Sequence, residues 1–146
     1  MSDFHALKIS EIKQVTPTSV AVTFEVPQAL KTIFSFIAGQ YITLNHTING
    51  ELVRRAYSIC SAPSSGLLTV GIKKVVNGTF SVYANEQLAV GDTIDVMPPQ
   101  GTFTLNPNSQ EAHHIAAFAA GSGITPILSI AQTALEQESN STFLLV

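Results

Sequence analysis

The sequence predicts a mainly β protein, in which a six-stranded antiparallel Greek-key barrel with one inserted helix is followed by a truncated βαβ fragment. Three observations indicate this fold class. The first hundred residues alternate apolar and polar side chains with a period of two, which is the pattern of strands. One segment among them has helical spacing instead. Beyond residue 108 a nearly continuous apolar run appears, which is typical of a strand buried on both faces of a parallel sheet.

Six segments of the alternating region are predicted strands, and short turns rich in Gly, Pro, Asn and Ser separate them. They cover residues 6–15, 19–26, 40–46, 51–60, 67–75 and 93–98. Six strands with short connections favour closure into a barrel, because closure leaves no sheet edge exposed. The inserted helix is predicted over 78–88, where Phe80, Tyr83, Ala84 and Leu88 recur at helical spacing.

The C-terminal part is predicted to be one βαβ unit, with strands over 113–120 and 141–146 and a helix over 126–137. We therefore divide the chain into a barrel domain, 1–108, and the N-terminal fragment of an α/β nucleotide-binding domain, 109–146. One such unit cannot build a doubly wound sheet. We accordingly expect a longer gene product or a cut copy, whose exposed C-terminal strands favour homo-oligomer formation.

Composition excludes several classes of function. Charged residues make up only 12% of the chain and the formal net charge is −3, so no basic field is available to grip nucleic acid or anionic lipid. No uncharged apolar run reaches the length of a membrane span. The single cysteine, Cys60, excludes an internal disulfide and an iron–sulfur cluster held within the chain, and it suits the reducing cytoplasm. No grouping of the four histidines indicates a metal site.

Two adjacent arginines stand in the fourth predicted strand, although the chain has only seven basic residues. Because side chains alternate along a strand, Arg55 and Tyr57 share one face, while Arg54 and Ser58 share the other. A guanidinium binds phosphate oxygens in a bidentate manner, and a tyrosine can lie against a π-system. The pair Arg55 and Tyr57 therefore suits a ligand with both a phosphate and a flat ring. The alternative is an exposed edge strand whose arginines are merely solvated.

A glycine and a serine begin the inserted helix, in the segment Gly78-Thr79-Phe80-Ser81. A helix N-terminus offers unpaired N–H groups and the positive end of the helix dipole, and both favour a phosphate. Gly78 allows close approach of the ligand, Ser81 adds a hydroxyl, and Lys73 and Lys74 supply positive charge nearby. The alternative is an ordinary helix start after an Asn-Gly turn.

A glycine turn, Gly121-Ser122-Gly123-Ile124-Thr125-Pro126, joins the predicted buried strand to the last helix. The phosphates of a dinucleotide bind at such a turn, outside the carboxyl end of a parallel strand. Pro126 holds the place of the third glycine of the G-x-G-x-x-G fingerprint, and proline suits the first turn of a helix. A tight strand–helix turn without a ligand is the alternative.

Taken together, these segments resemble the ferredoxin-NADP⁺ reductase superfamily. The sequence RAYS is similar to its Arg-x-Tyr-Ser motif and GTFS to its Gly-x-x-Ser motif, in the same order. PPQGTF resembles the segment that closes its flavin domain, and AAGSGITPILS resembles the opening of its NAD(P) domain. Within the superfamily the chain looks most like reductase components of bacterial oxygenases, including those of the phenylacetyl-CoA epoxidase type.

The resemblance implies a flavin-dependent oxidoreductase that passes electrons from NAD(P)H through FAD to an iron–sulfur or oxygenase partner. It implies that Arg55 binds the pyrophosphate, and that the candidate catalytic residues Tyr57 and Ser58 stack on the isoalloxazine ring and lie near flavin N5. The other residues that it places at the cofactors are Ile59, Gly71, Ile72, Lys73, Gly78, Thr79, Phe80 and Ser81 for FAD, and Gly121, Gly123 and Thr125 for the nicotinamide nucleotide. It gives Arg54 no role, so we expect Arg54 at the surface.

Two other classes of function stay open. One is an FAD-binding electron-transfer subunit fed by a partner protein, and the other is a flavin-free barrel that acts as an interaction module. Residues that recognise the ribose would follow the glycine turn by about 20 positions, which places them at or beyond Val146. We therefore expect this chain to bind FAD without oxidising NAD(P)H efficiently by itself.

Overall fold

Six strands form one antiparallel sheet in the computed structural model, which describes residues 4–146. They are β1 (His5–Thr16), β2 (Ser19–Glu25), β3 (Tyr41–Ile48), β4 (Glu51–Ser58), β5 (Leu68–Lys73) and β6 (Thr93–Gln100). Hydrogen bonds join them in the order β4-β3-β6-β1-β2-β5. An antiparallel bridge between Ile59 and Val70 then connects the two outer strands, β4 and β5, and closes the sheet into a barrel. The predicted fold class is confirmed.

The interior of the barrel is filled by alternate side chains of its strands, as the period-two pattern requires. On β5, Leu68, Val70 and Ile72 are at most 2% exposed, whereas Thr69 and Gly71 between them are only partly buried. Each buried side chain of this size stabilises the fold by ~1.5–3 kcal/mol relative to its exposed state. The outer face of β5 is thereby left to contact other parts of the chain.

The helix α1 (Thr79–Glu86) inserts Phe80 and Ala84 into the barrel core. It is shorter than the predicted 78–88, because Gln87 leaves the helical conformation with φ −125°. Leu88 nevertheless packs against the core as a partly buried side chain. The helical spacing therefore predicted the buried face correctly, although it placed the end of the helix too late.

Residues after 108 form one βαβ unit, as predicted. Its elements are β7 (His114–Ala117), a 3₁₀ turn (Gly121–Gly123), α2 (Ile124–Gln137) and β8 (Thr142–Leu145), and its two strands are parallel. Among residues 4–146, neither α-helix combines the length and apolar composition that a membrane crossing needs. Phe118 is 75% exposed and Leu144 is 61% exposed. The apolar runs are thus not covered on both faces within the part of the chain that the structure describes, which agrees with the expected exposure of the C-terminal strands.

A buried carboxylate holds the loop that follows β6 against the βαβ unit. Glu138, just beyond α2, is 1% exposed. Its Oε1 accepts the backbone N–H of Asn108 at 3.0 Å, and its Oε2 accepts from the Ser141 hydroxyl and from His113 Nδ1, the latter at 2.9 Å. These hydrogen bonds, that of Ser141 foremost, lower the pKa of Glu138 to about 2, and Glu138 raises the pKa of His113. The carboxylate therefore fixes the connection at the predicted domain boundary.

Replacing Glu138 with glutamine should remove a pH-dependent part of the stability. The contribution of Glu138, whose folded pKa lies at about 2 and below its usual 4.5, is present above pH 4.5 and is lost as the pH falls through about 2. The contribution of His113, whose pKa is raised above 6.5, is complete below pH 6.5 and is lost as the pH rises through the raised value. The melting temperatures of wild type and Glu138→Gln should therefore differ most between pH 4.5 and 6.5.

The variant His113→Gln is the matched control for this prediction. It should remove the part of the difference that disappears at alkaline pH, because it leaves the bonds from Asn108 and Ser141 to the Glu138 carboxylate. A difference between wild type and Glu138→Gln that stays constant from acid to alkaline pH would contradict the assigned role of the carboxylate.

Candidate functional site

The end of β4 brings a guanidinium and a phenol to the same face of the strand. Val53, Arg55, Tyr57 and Ile59 alternate along this face, and the first and last of them are buried in the core. Arg55 is exposed and Tyr57 is half-buried, so these two side chains stand where the face leaves the core. Arg55 Nη1 donates to the carbonyl of Arg54 at 2.7 Å. Because a guanidinium has five N–H donors, this bond leaves others for a ligand.

Arg54 belongs to the opposite face of the same strand. Its guanidinium carbon lies 4.8 Å from the centroid of the Phe4 ring, which is a cation–π contact. The side chain is exposed, as expected for a surface residue. Strand alternation therefore separates the two arginines, and only Arg55 shares the face of Tyr57.

The start of α1 is shaped for close approach of a ligand. Within residues 4–146 no side chain caps this helix, whose N-cap is Gly78. A Cβ atom at Gly78 would overlap Ser81 Oγ and stand 3.1 Å from the carbonyl oxygen of Val75, so the turn needs glycine for space. Ser81 Oγ accepts the Val75 N–H at 3.1 Å, and its own hydrogen can still be donated. The uncapped amides and the helix dipole together favour an anion here.

Phe80 connects this helix to β4. Its ring centroid lies 5.8 Å from that of Tyr57, and its side chain is 1% exposed. Phe80 therefore braces the Tyr57 ring from the core side, and only its backbone remains to face a ligand. Burial raises the pKa of Tyr57, while the charge of Arg55 opposes that rise. The segments 55–58 and 78–81 thus meet on one side of the barrel.

An amide and a lysine hold α1 against β5. Asn85 Nδ2 donates to the carbonyl of Ile72 at 3.1 Å, and the Lys74 Nζ, just after β5, lies 3.1 Å from the Glu86 carboxylate. Lys73 is exposed at the end of β5. Asn85 was not predicted from the sequence, although an asparagine inside a helix is itself a signal, because its side chain competes for backbone hydrogen bonds.

The glycine turn before α2 rests on β5. A Cβ atom at Gly71 would stand 3.0 Å from Thr125 Cγ2. The Thr125 hydroxyl donates to the carbonyl of Ser122 at 2.9 Å, within the turn that contains Gly121 and Gly123. Gly121 has φ +60°, which glycine adopts without strain. The predicted nucleotide turn and the predicted flavin strand are therefore in direct contact.

Ser58 lies on the same part of the outer surface. The antiparallel bridge pairs Ile59 with Val70, and continuing this register by one residue sets Ser58 opposite Gly71. The three predicted segments, RAYS, GTFS and GSGITP, accordingly converge around the ends of β4 and β5. These three segments are far apart in the sequence, and the folding of the chain brings them together.

A groove of about 380 Å³ adjoins the start of α1 and was not predicted from the sequence. Beyond Gly78 and Thr79, it is lined by Ile48, Asn49, Asn77, Val82, Tyr83 and Gln87. Two Asn-Gly pairs in the sequence could have indicated this groove, because Asn-Gly favours turns. Asn49 and Asn77, which both line the groove, have positive φ values of 51° and 61°. Of the residues predicted at the cofactor, Gly78 and Thr79 line this groove.

The residues present fit a ligand with a diphosphate and a flat aromatic ring. Arg55 supplies a bidentate donor, and the uncapped start of α1 supplies backbone N–H groups. The half-buried Tyr57 ring, braced by Phe80, supplies an aromatic surface. These are the three features that a flavin dinucleotide requires.

Known proteins are similar to this chain in sequence and in fold. A sequence profile of the family described as "Oxidoreductase FAD-binding domain" matches residues 6–105. The chain is 41% identical over 146 residues to one of the subunits of 1,2-phenylacetyl-CoA epoxidase from Escherichia coli (strain K12), with coverage of 100% of this chain and 41% of that protein. It is 34% identical over 141 residues to the ferredoxin reductase component of 3-ketosteroid-9-alpha-monooxygenase from Rhodococcus rhodochrous, with coverage of 95% and 39%.

A solved structure also superposes on the chain. Phthalate dioxygenase reductase, described as a modular structure for electron transfer from pyridine nucleotides to 2Fe-2S, matches with a TM-score of 0.77 and 27% identity. The match covers 97% of this chain and 42% of that one. The chain thus spans about two fifths of the length of the relatives that it matches.

Proposed function

Because the chain belongs to the family of oxidoreductase FAD-binding domains, we propose that it is the FAD-binding part of a reductase that passes electrons from NAD(P)H to an iron–sulfur or oxygenase partner. The observation that carries this proposal is the meeting of Arg55, Tyr57 and the start of α1, where the rings of Tyr57 and Phe80 lie 5.8 Å apart. The names of the reductase relatives support the type of reaction.

The residues of the barrel would bind and orient the cofactor. Arg55 and the first amides of α1 would hold the diphosphate from two directions. Tyr57 would pack against the flat ring, and Phe80 behind it would keep the phenol from turning into the core. When bound, FAD would supply hydride acceptance and one-electron donation, which no side chain of the site can perform.

The outer face of β5 would meet the electron donor. Ser58, opposite Gly71, would place its hydroxyl near flavin N5, and the backbone around Ile59 and Ile72 would line the flavin edge. Gly121, Gly123 and Thr125 would receive the nicotinamide nucleotide. Contact between Thr125 and Gly71 supports this arrangement, because it brings the nucleotide turn next to the flavin strand.

The acceptor in this proposal is an iron–sulfur domain or an oxygenase component, as the names of two relatives suggest. The two-stranded sheet β7-β8, with the exposed Leu144 and Leu145, would support association between copies of the chain. The single cysteine is consistent with the cytoplasm as the place of action.

An absorption spectrum followed by donor mixing tests the proposal. The purified chain should show the visible absorption bands of a flavin after incubation with FAD and gel filtration. In the whole reductase that carries this segment, NADH or NADPH should bleach these bands within one turnover. A chain that retains no flavin would overturn the proposal in favour of a flavin-free barrel. Flavin that only a protein donor can reduce would indicate the subunit fed by a partner.

A further inference from the structure

The outer face of β5 contains one position without a side chain, Gly71, and the nucleotide turn rests on it. We propose that Gly71 is a positioning residue, which sets the distance between the flavin-binding face of the barrel and the nucleotide-binding turn before α2. This inference rests on the proposed function. By its lack of a side chain, Gly71 lets Thr125 stand directly against the strand.

Position 71 needs a glycine because a neighbouring group approaches it closely, and not because its backbone has an unusual conformation. Six glycines of the described chain have positive φ, and Gly71 is not among them. It lies inside β5 and pairs with Ala21 of β2, in ordinary strand geometry. A glycine inside a strand weakens the strand, unless another part of the molecule must approach closely. Thr125 Cγ2 is the group that approaches, at 3.0 Å from where a Cβ atom would be.

A second contact prevents α2 from moving away to relieve such a clash. Ser129 lies one helical turn beyond Thr125 on the same side of α2 and is 0% exposed. Its hydroxyl donates to the carbonyl of Ser61 at 2.7 Å. Because Ser129 is fully buried, breaking this part-buried bond would leave its hydroxyl without this acceptor, which costs free energy. A side chain at position 71 would therefore tilt the first turn of α2 about the fixed Ser129.

The side chain of Thr125 cannot easily turn aside either. Its hydroxyl donates to the carbonyl of Ser122, and that bond fixes the rotamer that directs Cγ2 at Gly71. Any displacement would pass to the turn over Gly121–Gly123. Since Ser58 lies opposite Gly71, this turn would move away from the residue proposed to lie near flavin N5.

A small displacement matters because hydride transfer needs the reacting atoms in close contact. A misplacement of about 1 Å can slow such a step roughly 100-fold. A shift of a few tenths of an ångström should therefore slow it by about threefold to tenfold. The amides of the first turn of α2 should also lose protection, because the turn would rest on the barrel less closely.

Three variants in the whole reductase, all loaded with FAD, test the contact. Gly71→Ala adds the Cβ atom. Gly71→Ala with Thr125→Ser adds it but removes Cγ2, while the hydroxyl bound to Ser122 is kept. Gly71→Ala with Thr125→Val keeps two methyl groups at position 125. Each double variant is compared with its own single variant at position 125, so that the direct effect of changing Thr125 cancels.

Two measurements are made on each variant. The first is the rate of flavin bleaching in a single turnover at saturating nicotinamide donor. We expect Gly71→Ala to slow it by about threefold to tenfold in the wild-type and Thr125→Val backgrounds, and by less than about twofold in the Thr125→Ser background. The second is hydrogen exchange over residues 121–130 without donor, which should be roughly fivefold faster in the same two backgrounds only.

The outcomes are distinguishable. Equal slowing in the serine and valine backgrounds would overturn the inference, because the methyl group would then not be the contact. Normal bleaching in Gly71→Ala with a lowered melting temperature would overturn it too, since Gly71 would then be structural only. A flavin that no nicotinamide donor bleaches would instead overturn the proposed function, and the exchange rates would still confirm or refute the contact of Gly71 with Thr125.

Discussion

Replacing Arg55 with alanine should weaken FAD binding roughly 10- to 100-fold, whereas replacing Arg54 should change it little. Loss of a charge-assisted bidentate bond to a phosphate costs about 1.5–3 kcal/mol. Arg55 shares its strand face with Tyr57 and is exposed, so its removal should not disturb the core. Arg54 faces the other way and is stacked on Phe4. The dissociation constant, measured by fluorescence titration of FAD, compares the two variants.

The variant Arg55→Lys separates the effect of the charge from the effect of the bidentate geometry. Lysine keeps the charge but not the planar fork of donors, so its affinity should fall between those of wild type and Arg55→Ala. Equal losses for Arg54→Ala and Arg55→Ala would show that the arginines act only through their summed charge. The assignment of the diphosphate to the Arg55 side of the strand would then be wrong.

Replacing Gly39 with alanine should destabilise the protein more than any other glycine-to-alanine change. Gly39, just before β3, is buried and has φ +101°, and a Cβ atom there would overlap the carbonyl oxygen of Phe103. The backbone strain costs about 1–3 kcal/mol and the overpacking about 1–3 kcal/mol more. In urea unfolding followed by circular dichroism, the urea concentration at the midpoint should fall strongly, or no cooperative transition should be seen.

Gly50 provides the matched control for the backbone part of this effect. It also has positive φ, +82°, but among residues 4–146 no atom outside its two chain neighbours lies within 4 Å of the Cβ position. Gly50→Ala should therefore show the strain alone. Equal destabilisation by Gly39→Ala and Gly50→Ala would mean that the close approach of Phe103 contributes nothing. The difference between the two variants measures how tightly the segment after β6 packs on the barrel.

Much of the fold could be predicted because local patterns decide it. The period-two alternation located all six barrel strands, and the helical spacing of Phe80 and Ala84 located α1. The end of α1 could not be predicted from spacing, because a tertiary contact keeps Leu88 packed on the core after the helix has ended. The exposure of Phe118 agrees with the expectation that a single βαβ unit leaves its apolar strands uncovered.

For the site, motif order indicated the segments but not their contacts. Ser58 opposite Gly71, and Gly71 against Thr125, follow from barrel closure and from the docking of α2, which no single segment encodes. Phe80 was predicted at the cofactor because it lies within GTFS. Its side chain lies in the core, so the prediction now concerns its backbone. Glu138 was not predicted, because a lone acid at a helix end ordinarily indicates a solvated charge.

Among residues 4–146, the bridge between Ile59 and Val70 is the shortest pairing between neighbouring strands of the barrel. All other neighbouring pairs are held by extended ladders. Because the fewest hydrogen bonds join β4 and β5, these two strands should be the first to separate when the barrel without its ligand is heated. A dinucleotide bound across β4 and β5 would hold these strands together. Its binding free energy would then be added to the free energy of unfolding of the whole barrel.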